Sequence, residues 1–239
     1  MATYNGAEYI KEQIHSILIQ LSNSDELIIS DDCSTDATVS IIESITDSRI
    51  FLLPITRTKL GIVRNFENAI SHSKGDYVFL SDQDDVWLDG KVYDCMGSLA
   101  KNLMVVTDCF VVNNELKIIN KSFFSIRGSK SGFFSNLFKN GYLGCCMAFR
   151  RELLEYALPI PKYAPMHDIW FGLMAQLFGS VYFLPKQKLL YRRHNNNASL
   201  TATKGNLGVV KIIEIRATLI FLIIGRLIKI YSRKFKFNS

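Results

Sequence analysis

Between residues 26 and 88, short apolar runs alternate with amphipathic stretches, and this rhythm restricts the chain to few folds. "DELIISDDCSTDATVSIIESI" predicts a strand over Glu26–Ser30, a polar turn, and a helix whose apolar stripe is Val39, Ile41, Ile42 and Ile45. Ser34, Thr35 and Asp36 supply the helix-capping chemistry. "SRIFLLPI" predicts a second strand, "GIVRNFENAISHSKG" a helix closing at Gly75, and "DYVFLSDQDD" a third strand. Strands separated by helices give a mostly parallel sheet covered on both faces, and ligands of such sheets bind outside the carboxyl ends of the strands. Two acidic turns fall at such ends: Asp31-Asp32, and Asp82, Asp84 and Asp85 within "FLSDQDDVWL". Carboxylates this close repel one another unless they stand in water or hold a cation.

From about residue 103 the pattern changes. "MVVTDCFVVNNELKII" predicts a hairpin turning at Asn113-Asn114 or Glu115, "GYLGCCMAFRRELLEYAL" a buried strand then a helix, and "MHDIWFGLMAQLFGSVYFL" a helix then a strand. "YRRHNNNAS" reads as a polar loop. With 239 residues, 48% of them hydrophobic, the chain suits one sizeable domain with an appendage. The boundaries expected are 1–203 for the α/β body and 204–239 for a basic C-terminal helix and tail. That tail carries eight Lys/Arg against Glu214 alone, so the net +6 belongs to it and the body is close to neutral, which argues against a nucleic-acid partner. Five cysteines without CxxC spacing suggest neither a disulfide framework nor a zinc site, and favour a reducing compartment. The polar start "MATYNGAEYI" has no apolar core of a secretory signal.

Residues 207–231 are mostly apolar, but their longest uncharged run, Ala217–Gly225, is far short of the roughly 20 residues that span a bilayer. On a helical wheel Lys211, Glu214, Arg226, Lys229 and Arg233 share one sector, with Arg216 and Leu222 as exceptions. This predicts a helix lying in an anionic membrane interface, or packed on a partner subunit. The localisation expected is cytoplasmic, peripheral on the inner face of the plasma membrane.

An Asp-x-Asp at a strand end suits Mg²⁺ or Mn²⁺, hard cations that take carboxylate oxygens and leave positions for substrate phosphates. Together with "ATYNGAEYI", "SDDCSTDAT", "LGIVRNFENAI", "KGDYVFLSDQDDVWL", "MHDIWFGLMA" and "LLYRRHNNNAS", the chain resembles glycosyltransferase family 2 over residues 1 to about 200, nearest its bacterial rhamnosyltransferase-like subgroup. The resemblance implies a GT-A fold, Rossmann-like, and an inverting, metal-dependent transfer of a sugar, rhamnose among the candidates. The donor would be a nucleoside-diphosphate sugar, and the acceptor a saccharide or lipid-linked molecule of bacterial surface polysaccharide synthesis. It further implies that Thr3, Tyr4, Asp32, Arg64, Asp82 and Arg192 bind the nucleotide sugar. Asp84, Asp85 and His194 would hold the divalent cation, with Asp85 sharing the ion or capping the next segment. Asp168 would be the general base, its neighbours Ile169, Trp170 and Phe171 raising its pKa. His167 and Cys145-Cys146 read as structural, and "NNNAS" as a loop that orders over bound donor. The family usually opens with an apolar strand directly before "ATYNG"; here the sheet is expected to show a gap beside the nucleotide site, with Met1 internal to a longer natural protein or the start assigned late. Two other classes fit parts of the chain: a non-catalytic nucleotide-sugar-binding or membrane-assembly protein, and a sugar nucleotidyltransferase, which would need a Gly-rich phosphate loop.

Overall fold

A computed structural model describes residues 1–55, 58–194 and 209–237. The first half alternates as the sequence predicts: β1 (Ala2–Thr3), α1 (Ile10–Leu18), β2 (Leu27–Asp31), α2 (Thr38–Glu43), β3 (Ile50–Leu52), α3 (Ile62–His72) and β4 (Tyr77–Phe79). Ile10, Ile14 and Ile17 recur at helical spacing and bury the inner face of α1, and Phe66, Ala69 and Ile70 do the same for α3. α3 stops at His72 rather than running on to Gly75. Ser73 is extended, its hydroxyl donates to the Ile70 carbonyl at 2.7 Å, and the Glu26 carboxylate accepts from the amides of Lys74 and Gly75.

The second half contains β5 (Val86–Trp87), α4 (Lys91–Leu99), β6 (Met104–Val112), β7 (Ile118–Asn120), α5 (Phe123–Arg127) and α6 (Phe133–Phe138). These are followed by β8 (Met147–Arg150), α7 (Leu153–Ala157), α8 (His167–Phe178), β9 (Val181–Arg192) and α9 (Val209–Phe237). The sheet is mixed rather than mostly parallel. β1-β2-β3 are parallel, but β4-β8, β8-β6 and β9-β5 pair antiparallel around the parallel pair β6-β9. The rhythm of apolar runs locates strands but carries no sign of their direction, which the return of β8 through the 3₁₀ turn Gly144–Cys146 decides. β6 is buried at nearly every position, as a strand covered on both faces must be.

β1 links the two groups of strands. Its Met1 carbonyl accepts from Ser30 of β2 at 3.0 Å, and the Ala2 amide donates to the Ser81 carbonyl just beyond β4 at 3.3 Å. Only two residues long, β1 stops at the Met1 ammonium, which donates to the Ile28 carbonyl at 2.7 Å and is lowered to about 5 by burial. Beyond it the expected gap is present, a cavity of about 740 Å³ between β2 and β4.

α9 docks on the body through Leu219 and Ile223. Arg226, placed on the polar sector by the helical wheel, instead faces inward. Its guanidinium donates to the carbonyls of Tyr156 (3.1 Å), Leu158 and Pro159 and lies over the Trp170 ring. Among the described residues no helix is long and apolar enough to cross a membrane. No disulfide joins the five cysteines among the described residues.

α8 is apolar nearly all round and passes through the core. Gly172 on it lies against the Tyr142 ring, whose hydroxyl donates to the Gly172 carbonyl at 3.1 Å, and a Cβ there would fall inside that ring. Gly172→Ala is expected to cost about 1–3 kcal/mol by overpacking. Thermal unfolding should show Tm lowered by roughly 3–10 °C.

Candidate active site

The acidic turn after β4 is positioned mostly by neutral groups. The Gln83 amide clamps the Tyr4 backbone in both directions, accepting from its N–H at 2.7 Å and donating to its carbonyl at 2.8 Å. Gly6 must lack a side chain, because a Cβ would meet the Gln83 amide. From α1, Gln13 donates to the Ser81 hydroxyl at 2.7 Å and the Asp82 carbonyl at 3.2 Å. The end of β9 secures the other side. There the Arg192 amide donates to Asp85 Oδ1 at 3.0 Å, its Nε donates to the Asp84 carbonyl at 2.8 Å, and His194 Nε2 sits 2.8 Å from Asp84 Oδ2.

The electrostatics of this turn are unfavourable as they stand. Burial, then the charges of Asp84 and Asp168, push the Asp82 carboxyl up to about 7, with the Met1 ammonium partly opposing. Asp85 is fully buried and pushed well above the ordinary value by burial, then by Asp84 and Asp82. Its Oδ2 has no hydrogen-bond partner among the described residues. Ligand atoms of Asp82, Asp85 and Cys145 lie within 4.8 Å of one another. Clustered carboxylates, one with an orphaned buried oxygen and another beside an imidazole, fit a hard divalent cation, whereas the Cys145 thiol is pushed up by burial and adds little to such a set.

The facing wall comes from the first turn of α8. Asp168 is buried, and burial raises its carboxyl to about 6, opposed by hydrogen bonds from the Ile169 amide (2.6 Å) and Asn140 and by the charge of Arg127. Next to it His167 stacks on Phe66 with centroids 3.9 Å apart, and burial lowers it to about 3, so the ring is neutral. A Cβ on Gly144 would come 2.7 Å from His167 Nε2, so the imidazole packs against that glycine.

One cavity of about 330 Å³ collects Thr3, Tyr4, Asp32, Asp82, Asp84 and Asp168 along its lining. Asp32 also accepts from the amides of Leu60 and Gly61 (3.0 Å), which ties the start of α3 to this rim. Asp85 and His194 sit one shell behind, attached to the turn. Two expected contacts are redirected. Arg64 turns to Glu67 and the Ile160 carbonyl (2.9 Å) and does not line the cavity. Arg192, expected on the nucleotide sugar, is buried with its guanidinium on Glu12, the Asp84 carbonyl and the Asn114 carbonyl and over the Tyr9 ring, so it braces the acidic turn instead. Sequence reasoning missed Gln83, Gln13 and Gly6; the only trace of Gln83 was its place between two aspartates. The "NNNAS" loop lies outside the described residues.

This mixed α/β sheet, with an acidic turn and a buried aspartate on one cavity, matches the fold of GT-A glycosyltransferase structures. The model of the family described as "Glycosyl transferase family 2" matches residues 1–157, and the chain belongs to that family. It is similar to the dTDP-rhamnosyl transferase RfbG of Shigella flexneri, 29% identical over 237 residues covering 88% of this chain and 79% of the relative. It is also similar to the putative teichuronic acid biosynthesis glycosyltransferase TuaG of Bacillus subtilis, 26% identical over 82% of this chain and 79% of the relative. Among solved structures, S. aureus TarS 1-349 in complex with UDP-GlcNAc superposes with a TM-score of 0.70 at 19% identity, covering 92% of this chain and 64% of that one. The mannosyltransferase PcManGT of Pyrobaculum calidifontis, in complex with GDP-Man and Mn²⁺, gives 0.62 at 21%, covering 82% of this chain and 56% of that one. The chain thus spans less than two thirds of these solved proteins.

Asp85 supplies a direct check on the electrostatics. Its folded carboxyl keeps a proton that the unfolded chain releases above the ordinary value of 3.8, so stability falls as pH rises past that value. Asp85→Asn is expected to raise Tm in metal-free protein at pH 7.5 and to leave it nearly unchanged at pH 4. Calorimetry at the two pH values measures this; a lower Tm at pH 7.5 contradicts the assignment of a carboxyl held protonated by burial.

Proposed function

We propose that this chain is an inverting, metal-dependent glycosyltransferase. It moves a sugar from a nucleoside-diphosphate donor to a hydroxyl of a saccharide or lipid-linked acceptor. The observation that carries this is the shared cavity: Asp168, raised to about 6 by burial, opens on the same 330 Å³ as Asp82 and Asp84. An inverting transfer needs one carboxylate to take the acceptor's proton as that oxygen attacks the anomeric carbon opposite the departing diphosphate. A carboxyl titrating near 6 is ionised at neutral pH yet a stronger base than a solvated aspartate. Thr3, Tyr4 and Asp32 line the cavity, where they would hold the nucleotide, and Asp82 would face the ribose. Asp84, with Asp85 and His194 behind it, would hold Mg²⁺ or Mn²⁺, which neutralises charge developing on the leaving diphosphate. PcManGT, solved with GDP-Man and Mn²⁺, supports the cation and the donor class, and TarS with UDP-GlcNAc supports the donor class. The names of RfbG and TuaG favour bacterial surface polysaccharide synthesis, and RfbG makes a deoxyhexose such as rhamnose the first donor sugar to test.

The outer face of α9 leaves Val210, Ile213, Phe221, Ile224 and Ile228 exposed, with Lys211 and Lys229 beside them. Apolar side chains bordered by lysines fit the headgroup boundary of an anionic bilayer, so we assign this helix to peripheral membrane attachment at the cytoplasmic surface.

Asp168→Asn should lower kcat by about 10²–10⁴-fold while donor binding, measured by calorimetry with Mn²⁺, stays within a few-fold of the parent. Because the base acts ionised, kcat/KM of the parent should fall tenfold per pH unit below about 6 and level off above it. EDTA should abolish transfer and added Mn²⁺ or Mg²⁺ restore it. Full activity of Asp168→Asn removes that residue from its role. Separately, sedimentation with vesicles containing phosphatidylglycerol should carry the chain down at low salt, and Phe221→Asp with Ile224→Asp should release it; equal sedimentation of both refutes the attachment.

A further inference from the structure

A second element of this chain shares the composition of α9. Between Glu115 and Arg150 the sequence carries Lys117, Lys121, Arg127, Lys130 and Lys139 and no acidic residue. Within that stretch α5 leaves Ile126 exposed, and α6 leaves Phe134 and Phe138 at 72% and 69% exposure. The two phenylalanines are four residues apart and share one face of α6, while Asn136 and Leu137 bury another. Apolar residues scattered singly over a surface are ordinary. A pair of phenylalanines on one short helix, flanked by exposed Lys130 and Lys139, is instead an apolar patch with a cationic rim.

The patch is firmly mounted. The Asn136 side-chain amide donates to the carbonyls of Lys130 (2.8 Å) and Gly132 (2.9 Å) and accepts from the Gly141 amide (3.1 Å). The Ser129 hydroxyl donates to the Gly141 carbonyl at 2.7 Å, and the Arg127 guanidinium donates to the Asn140 carbonyl at 3.0 Å. These bonds join the two ends of residues 127–141, and Gln176 of α8 ties the loop down by donating to the Ser131 hydroxyl at 3.1 Å. A segment held at so many points keeps Phe134 and Phe138 outward as a fixed feature of the surface. α6 also packs against α9, which makes the two apolar, basic elements neighbours in space. Asn140, where the loop closes, hydrogen-bonds the Asp168 carboxylate.

We propose that α6 and α9 together form one contact surface for an anionic bilayer, with Phe134 and Phe138 in the headgroup boundary and Lys130 and Lys139 on the lipid phosphates. Charge selects this occupant, since a lysine rim on a stretch without one acid complements anionic headgroups. The proposal rests on the reading of α9 as a peripheral attachment and adds a second point to it. Two attachment points fix how the body stands on the lipid, where one helix would let it swing. They hold the wall carrying Asp168 at the surface from which a lipid-linked acceptor presents its hydroxyl.

The native tryptophans make a direct test possible, because Trp87 and Trp170 are both buried and a tryptophan added on the surface reports separately from them. Phe134→Trp, Phe138→Trp, Phe221→Trp and, as a control on α4, Tyr93→Trp are mixed with vesicles containing phosphatidylglycerol brominated along its acyl chains. Phe134→Trp, Phe138→Trp and Phe221→Trp should each lose roughly half or more of the added fluorescence, and Tyr93→Trp almost none. Lys130→Glu with Lys139→Glu should weaken vesicle binding about tenfold or more. The substituted positions are exposed, so Tm should stay within roughly 2 °C of the parent. Quenching in Phe221→Trp with none in Phe134→Trp and Phe138→Trp overturns the proposal and leaves the attachment through α9 standing. Quenching in none of the four overturns both, and equal quenching in Tyr93→Trp overturns the proposal by showing contact without orientation. Sedimentation equilibrium showing a dimer that Phe134→Asp dissociates, with vesicle binding unchanged, assigns the patch to a second copy of the chain and also overturns it.

Discussion

Mutual repulsion among buried carboxylates is the interaction on which the rest of the site depends. Asp82 and Asp85 are both driven toward their protonated forms by burial and then by the charge of Asp84, and the groups that hold their turn in place are mostly uncharged. The Gln83 amide, the Gln13 amide and the Arg192 backbone N–H fix its geometry without cancelling its charge. The Arg192 guanidinium, the nearest strong cation on β9, reaches the Asp84 backbone and Glu12. The turn is thus held largely by dipoles.

Asp36 and Asp168 show how burial and hydrogen bonding together set a carboxyl's titration. Asp36 and Asp168 both precede or open helices, yet they titrate in opposite directions. Burial pushes Asp36 up, but hydrogen bonds from Thr38 and Ala7 outweigh it and hold its carboxyl below the ordinary value. Asp168 accepts fewer such bonds and sits on a helix whose whole circumference is apolar, so desolvation prevails and the group reaches about 6.

Much of the fold was legible because its elements have strong local periodicity. β2, α3, β4, β6, β8, α8 and β9 lie close to where apolar spacing and turn residues put them. Asp82, Asp84 and Asp168 do line one cavity; the first two were legible as acids at a strand end, and Asp168 through the family resemblance. Arg64, Arg192 and Arg226 were not, since an arginine's long stem lets the same sequence position serve solvent, phosphate or a set of carbonyls. Which one it serves is set by residues up to 180 positions away, as between Arg192 and Glu12.

The sequence by itself determined the alternation of elements, the acidic turn at a strand end, the buried setting of Asp168 and the basic character of the last helix. These follow from residue type and spacing within about a dozen neighbours. Tertiary structure alone decided that the strands run in mixed directions, that Gln83 locks Tyr4 to the acidic turn, that Arg192 and Arg226 point inward, and that a slot opens between β2 and β4. Each of these is a contact between distant segments, where hydrogen-bond geometry and packing choose among partners that local chemistry leaves equivalent.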